Sequence, residues 1–274
     1  MCRVLEVSRS GYYRWCPRRK SARAKENQIL DFHINVIYKR HKGRAGSPKI
    51  TKDLHEMGIM VSKNRVARRM KERGLRSIIR KKYRSTTDSK HSLPVAANLL
   101  QRDFSTEAPN IAWVSDITYI DTAQGWLYLA IFLDLYSRRV VGWEFSDSLS
   151  SELAVSALSK AIKNRQSGAG LIVHSDQGVQ YASNDFREVI DDHHIIQSMS
   201  KKGDCWDNSV AESFFNIIKS ELIRHENFKN KQEAFSAIFE YIEIYYNRQR
   251  RHSTINYKTP VQLEEGVKST ICCL

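Results

Sequence analysis

Three carboxylates stand where packing alone gives them no purpose. Asp116 lies within Trp113-Val-Ser-Asp-Ile-Thr-Tyr119, a β-branched and aromatic run. Asp176 follows the short apolar run Leu171–His174, in His174-Ser-Asp-Gln-Gly178. Glu212 comes soon after Gly203-Asp-Cys-Trp-Asp-Asn208, near the start of a helical pattern. An unpaired carboxylate in or beside an apolar strand is costly to bury. A cluster of them is relieved by hard divalent cations, which take oxygen ligands. An all-oxygen set points to Mg2+ or Mn2+ rather than zinc. Two such ions about 3.5–4 Å apart activate an attacking oxygen and stabilise a leaving one in phosphoryl transfer. Asp116, Asp176 and Glu212 are therefore the candidate catalytic and metal-ligating residues.

The helix carrying Glu212 can be checked by its period. At 100° per residue, Val210, Phe214, Phe215, Ile217, Ile218 and Leu222 share one arc, and Glu212, Asn216 and Lys219 share the opposite one. Glu221 is the one misfit, a charge on the apolar side. Glu212 and Lys219 stand two turns apart, about 10 Å along the axis. One end of that stripe could bind metal while the other grips a DNA phosphate. On the helix alone, a solvated Glu and Lys is the better account.

The elements that must position these groups are legible as alternating patterns. Ile111–Ile120, Leu127–Leu135 and Arg139–Phe145 read as three consecutive strands joined by hairpin-sized links. A helix over 151–166, a short strand at Leu171–His174, a helix over 184–191 and a strand at Ile195–Met199 follow. Helices over 208–223 and 231–246 close the order β-β-β-α-β-α-β-α-α, which implies an α/β fold with a mixed sheet flanked by helices.

The preceding segment is different in kind. The 274-residue chain carries a net charge of +14. Residues 1–102 hold 27 Lys and Arg against 7 Asp and Glu, while residues 103–274 hold 17 against 23. A concentrated basic excess points to a polyanionic partner. Ile29, Phe32, Val36 and Ile37 recur at helical spacing, and Ile50, Leu54 and Met57 form another stripe ending at Gly58. Ser62 reads as the N-cap of a further helix that carries Val66 and Met70 and stops at Gly74. Two short helices joined by a Gly-containing turn outline a helix-turn-helix. Arg65, Arg68 and Arg69 on its second helix are candidate contacts to duplex DNA. The polar stretch 85–92 reads as a linker. The domains expected are a basic helical region over 1–90, a connection over 91–108, a catalytic core over 109–265 and a tail over 266–274.

The five cysteines form no C-x-x-C pair, which argues against a zinc site or disulfide framework. No apolar run is long enough for a membrane span, and no secretory leader is evident. A reduced, cytoplasmic setting fits.

Together these motifs resemble the integrase-core transposases of bacterial insertion sequences, over about residues 2–265. The three acids match the family's D-D-E pattern, with 35 residues (177–211) between Asp176 and Glu212. Lys219 stands seven after Glu212, where the family has Lys or Arg. Tyr246-Asn247-x-x-Arg250-x-His252-Ser253, with Pro260 beyond, matches its terminal signature. Ser8-x-Ser10-Gly-Tyr-Tyr-x-Trp15 and Gly46-Ser-Pro-Lys-Ile50 match its N-terminal helix-turn-helix region. The resemblance implies a ribonuclease-H-like core, the three acids as catalytic metal ligands, and two Mg2+ or Mn2+ ions. It also implies Lys219, Asn247, Arg250 and His252 as DNA contacts. The implied reaction is cleavage of the element's ends to free 3′-OH groups, then direct transesterification, often through a circular intermediate. The implied partners are double-stranded DNA, further copies of the chain on DNA, and an upstream-frame product or fusion that brings another helix-turn-helix and a coiled coil. The implied setting is the bacterial cytoplasm at the nucleoid. A purely hydrolytic nuclease with the same core, and a catalytically inactive DNA-binding regulator, remain alternatives on the sequence alone.

Overall fold

The computed structural model describes residues 2–15, 21–78, 94–167, 169–201 and 205–271. They fall into two units, Met1–Ser77 and Ile78–Leu274. The expected linker over 85–92 lies outside the described residues.

The first unit holds α1 (Arg9–Trp15), α2 (Ala22–Arg40), α3 (Ser47–Glu56) and α4 (Lys63–Glu72). The Ser62 side chain accepts the Arg65 N–H and starts α4. Gly58 and Gly74, at φ +78° and +69°, let the chain leave α3 and α4 through the left-handed region. Leu30, Ile34 and Ile37 of α2 close over Ile50, Leu54, Val66 and Met70. The α2 stripe differs from expectation: Ile29, Phe32 and Val36 are exposed, and of the four residues singled out only Ile37 is buried. Two apolar stripes about 100° apart run along this helix, and periodicity cannot choose between them. Met57 also lies outside the core, because α3 has already ended.

The second unit is built on β1 (Ala112–Thr122), β2 (Gly125–Asp134), β3 (Val140–Ser146), β4 (Ile172–Ser175) and β5 (Ile196–Met199), in the order β3-β2-β1-β4-β5. β1–β2 and β2–β3 are antiparallel, and β4 pairs in parallel with β1 and β5. The mixed sheet expected from the pattern is present. On one face, Trp113, Ala130, Phe132 and Val173 pack against α5 (Ser151–Arg165) and α6 (Asn184–Asp192). On the other, Val114, Leu129, Ile131 and Leu133 pack against α7 (Ser209–Glu221) and α8 (Lys231–Phe239). α8 continues as a π-helical segment, Glu240–Tyr246, which turns Tyr241, Tyr245 and Tyr246 inward together. α9 (Pro260–Ile271) crosses residue 265, the expected end of the core. Its Glu264 is buried against Arg139 and Arg165, 2.7 and 2.8 Å away, and accepts from Ser137. α9 thus runs without a break from this buried residue past 265.

The sheet seats α5 at Gly142. The β2–β3 register slips so that Phe132 faces Gly142 and Leu133 faces Val140, leaving Val141 as the extra residue of a bulge. A Cβ on Gly142 would lie 2.5 Å from the Ala157 carbonyl oxygen and from the Ala161 Cβ. Gly142→Ala must push the helix off the strand. We expect a loss of about 1–3 kcal/mol of stability, read from urea unfolding. An unchanged midpoint would show that the helix does not depend on this close approach.

Candidate active site

The parallel pairing of β1 and β4 sets the first two carboxylates. Ala112, Trp113 and Val114 pair with Ile172, Val173 and His174. Asp116 and Asp176 each follow the last of these pairs by two residues, so both leave the β1–β4 ladder at the same end. β4 has ended at Ser175, so Asp176 opens the following loop. Its Oδ1 accepts the Gly178 N–H at 2.9 Å, and Asp116 Oδ1 accepts the Ile117 N–H at 2.7 Å. Gly178 leaves little room: an added Cβ would stand 3.0 Å from Asp176 Oδ1.

Glu212 arrives from the other layer, in the first turn of α7. Asn208, the N-cap residue, donates its Nδ2 to the Ser115 carbonyl at 2.9 Å. That bond joins the start of α7 to the residue beside Asp116. A second brace comes from His174, which is buried. Its Nε2 donates to the Asp207 carbonyl at 2.9 Å, and its Nδ1 accepts from the Ser198 hydroxyl at 2.8 Å. A carbonyl can only accept, which assigns the proton to Nε2. Burial pushes the His174 pKa down, so the ring stays neutral in this role. Burial pushes the Asp207 carboxyl up, but the Lys201 N–H and the Arg102 guanidinium outweigh it and hold the group below its usual value. His174, Asp207 and Asn208 were missed as positioning residues. Their signal was their place, each next to or near a candidate acid in an otherwise apolar segment.

All three candidate acids are half-buried. Asp116 retains some exposed surface, yet protein surrounds it closely enough that desolvation is the largest cause of a strongly raised pKa. The Asp176 charge adds to that, the Ile117 N–H opposes it, Glu212 adds again and Lys219 opposes. The structure thus brings Asp116, Asp176, Glu212 and Lys219 into one electrostatic neighbourhood. Among the described residues, no three acidic, His or Cys side chains close around a single point as a metal shell would. The carboxylates stand within coupling range and short of ligation. Three carboxylate donors, one strongly disfavoured as an anion, fit a hard divalent cation.

Lys219 is half-buried, with Nζ 5.2 Å from the centroid of the Tyr119 ring. Burial lowers its pKa, while Tyr119 and Asp116 favour its charge.

Of the remaining candidate contacts, all but Arg68 are engaged within the protein. Arg250, expected on DNA, is buried against Glu221, with Nη2 to Oε1 at 2.8 Å and Nε to Oε2 at 3.0 Å. Tyr241 donates its hydroxyl to the same carboxylate at 2.8 Å. Burial pushes the Arg250 guanidinium down, and Glu221 more than reverses that. Asn247 makes a reciprocal pair with Val140, accepting its N–H and donating to its carbonyl, both at 3.0 Å. His252 is buried and packs edge-on against Tyr246, ring centroids 4.7 Å apart. A phosphate cannot reach these three without opening the core. In the first unit, Arg69 donates Nε to Asp31 of α2 at 2.8 Å, and Arg65 donates to Asn27 at 2.9 Å. Both brace α4 against α2. Arg68 points outward, its side chain 56% exposed and 4.0 Å from Glu72.

Residues 106–205 match the family described as integrase core domain, and residues 193–260 match a second family of that description. Residues 25–83 match an HTH-like domain. Over 97% of its length the chain is 43% identical to the insertion element IS600 uncharacterized 31 kDa protein of Shigella sonnei, covering 97% of that protein. It is 41% identical, over 96% of this chain and 92% of the other, to the transposase InsF for insertion sequence IS3A of Escherichia coli K12.

Two outcomes are expected from this geometry. Arg250→Ala leaves Glu221 buried without its partner, and we expect a loss of about 3–5 kcal/mol. Thermal unfolding measures it; near-normal stability with weakened DNA binding would restore Arg250 to the DNA surface. Asp116→Asn removes a repelled charge at little change in volume. Without divalent ions it should melt above the wild type, and Mg2+ should raise the wild-type melting temperature while leaving the variant unmoved. A variant that melts lower without metal would show that Asp116 is not under net repulsion.

Proposed function

The chain belongs to the insertion-sequence transposases that carry an HTH-like domain and an integrase core, and from that premise we propose that it cuts and rejoins DNA ends at Asp116, Asp176 and Glu212. The observation that carries this reading is that Asp116 on β1, raised strongly by burial first, also feels the charges of Asp176 after β4 and Glu212 on α7.

The chemistry needs no covalent enzyme intermediate. In the first step a water oxygen bonds to phosphorus at the element's end, the bond from phosphorus to the 3′ oxygen breaks, and that oxygen leaves as a 3′-OH. In the second, the 3′-OH oxygen bonds to phosphorus in another strand, where one phosphorus–oxygen bond breaks as the new one forms. Bond types are conserved, so the joining step draws on no outside energy source. Divalent ions, two in this reading and Mg2+ or Mn2+, supply electrophilic stabilisation at the scissile phosphate. Asp116 and Asp176 would hold them from the end of the β1–β4 seam, and Glu212 would complete the set from α7.

Lys219 is a donor only and a compact cation. Next to Asp116, it is suited to a phosphate of the terminal nucleotides. Arg68 is the remaining α4 arginine for a duplex contact. Copies of the chain assembled on DNA, an upstream-frame partner, and a nucleoid setting complete the proposal.

Strand transfer from a pre-cut 3′-OH end is the deciding assay, since a hydrolytic nuclease fails it. Asp116→Asn, Asp176→Asn and Glu212→Gln should each abolish joining in Mg2+ with duplex affinity kept. Near-normal joining by any of the three removes that residue from the site. Lys219→Ala should keep the fold and slow joining on the order of 100-fold, as misplacement of reacting atoms by about 1 Å does. Lys219→Arg should retain much of the rate. Unchanged joining by Lys219→Ala would leave the lysine as a surface group.

A further inference from the structure

A pair of rings that neither core requires is linked to the carboxylates through Lys219. Tyr119 stands three residues beyond Asp116 on β1, and Trp126 sits on β2 opposite Asp121. Both are large aromatics left open, 47% and 49% exposed. Their centroids are 5.1 Å apart and their planes cross at 87°. They belong to neither apolar cluster that packs the sheet. A single exposed Trp on a sheet is unremarkable in chemistry. Here, however, a cation lies over one ring, with Lys219 Nζ 5.2 Å from the Tyr119 centroid, and that same lysine acts on Asp116.

We propose that Tyr119 and Trp126 form a stacking platform for an unpaired nucleobase at the end of a DNA strand, with Lys219 on its phosphate. The inference rests on the transposase reading and adds a feature of the substrate to it. In a closed duplex, the bases next to a terminal phosphodiester are stacked and paired. Opening the end exposes that phosphodiester and leaves a base without a neighbour. Two perpendicular rings offer such a base a face in either of two orientations. Stacking on aromatic side chains tolerates any sequence, because every base has a π face. The adjacent ammonium matches the negative charge that each nucleotide brings. The arrangement therefore favours opened ends over paired ones, whatever the end sequence.

The test compares a blunt duplex with the same duplex carrying a short unpaired thymidine tail. Binding of each to the full-length chain is measured by fluorescence anisotropy without divalent ions, so that no cutting intervenes. The wild type should favour the tailed duplex by roughly tenfold, the scale of one stacked base. Tyr119→Ala and Trp126→Ala should each lose most of that preference while keeping blunt-duplex affinity. Tyr119→Phe and Trp126→Phe should retain it, which separates stacking from damage to the fold. The tail should also quench tryptophan emission more in the wild type than in Trp126→Phe. Equal affinity of the wild type for both duplexes, or alanine variants that keep the full preference, overturns the platform. Strand transfer in Mg2+ is read separately. Joining without a tail preference sinks the platform alone, whereas a tail preference without joining sinks the transposase reading and keeps the platform.

Discussion

Holding several carboxylates together, partly out of water, is the constraint on which the rest of this molecule depends. Asp116 and Asp176 arrive at the same end of the sheet because β1 and β4 run parallel side by side up to Val114 and His174. Their repulsion, added to desolvation, pushes Asp116 strongly toward its neutral form. Left to itself, such a cluster relaxes by turning its loops away. The structure opposes that with short local tethers. Each Asp accepts a backbone N–H from within two residues of itself, and His174 braces β4 to β5 and to the segment before α7. A neutral imidazole suits that position, since it bonds on both sides without adding to the charge.

Glu212 has the harder placement, because it comes from a helix rather than from the sheet. α7 is pinned at both ends. At its start, Asn208 bonds to the Ser115 carbonyl. At its end, Glu221 is 1% exposed and receives Arg250 and Tyr241. A buried ion pair is weak support for stability, because its desolvation penalty can exceed the attraction. Its value here is geometric. Removing either partner strands a charge, so the helix has one acceptable seat against the π-helical segment and the chain around 250. A carboxylate four residues from one pinned end and nine from the other has little freedom to drift.

This arrangement also explains what was legible in the sequence. Strand alternation and the apolar runs revealed the five strands, and the acids stood out because strand neighbours are apolar. Glu221 was visible only as a misfit on the apolar arc of its helix. Its partner Arg250 lies 29 residues away, and no local period connects them. The terminal motif therefore suggested DNA contacts for residues that hold the core. The α2 stripe failed for another reason. Ile29, Phe32 and Val36 are as apolar as Leu30, Ile34 and Ile37, and only the partner helices decide which set is covered. Glu264 is charged and reads as surface, whereas two arginines draw it inside.

The same logic recasts the basic unit. Its positive excess suggested arginines on α4 reaching for DNA. Two of the three turn back instead, Arg65 toward Glu26 and Asn27 and Arg69 toward Asp31, where Arg73 just past the helix joins it. Asp31 is nearly buried on α2, and the Arg69 and Arg73 hydrogen bonds hold its pKa down despite desolvation. Ion pairs of this kind reduce no net charge, so the long-range field of the unit survives. They do remove guanidinium donors from the surface. Lys63, Asn64, Arg68 and Lys71 remain exposed along one side of α4, at a spacing that keeps them on a common face. Lysine is a point cation without the rigid fork that reads guanine. A face of two lysines, one asparagine and one arginine therefore favours phosphate contacts over base contacts. In the proposed complex with DNA, sequence discrimination by this helix would rest mainly on Asn64 and Arg68, and the excess of charge would act chiefly to bring DNA close.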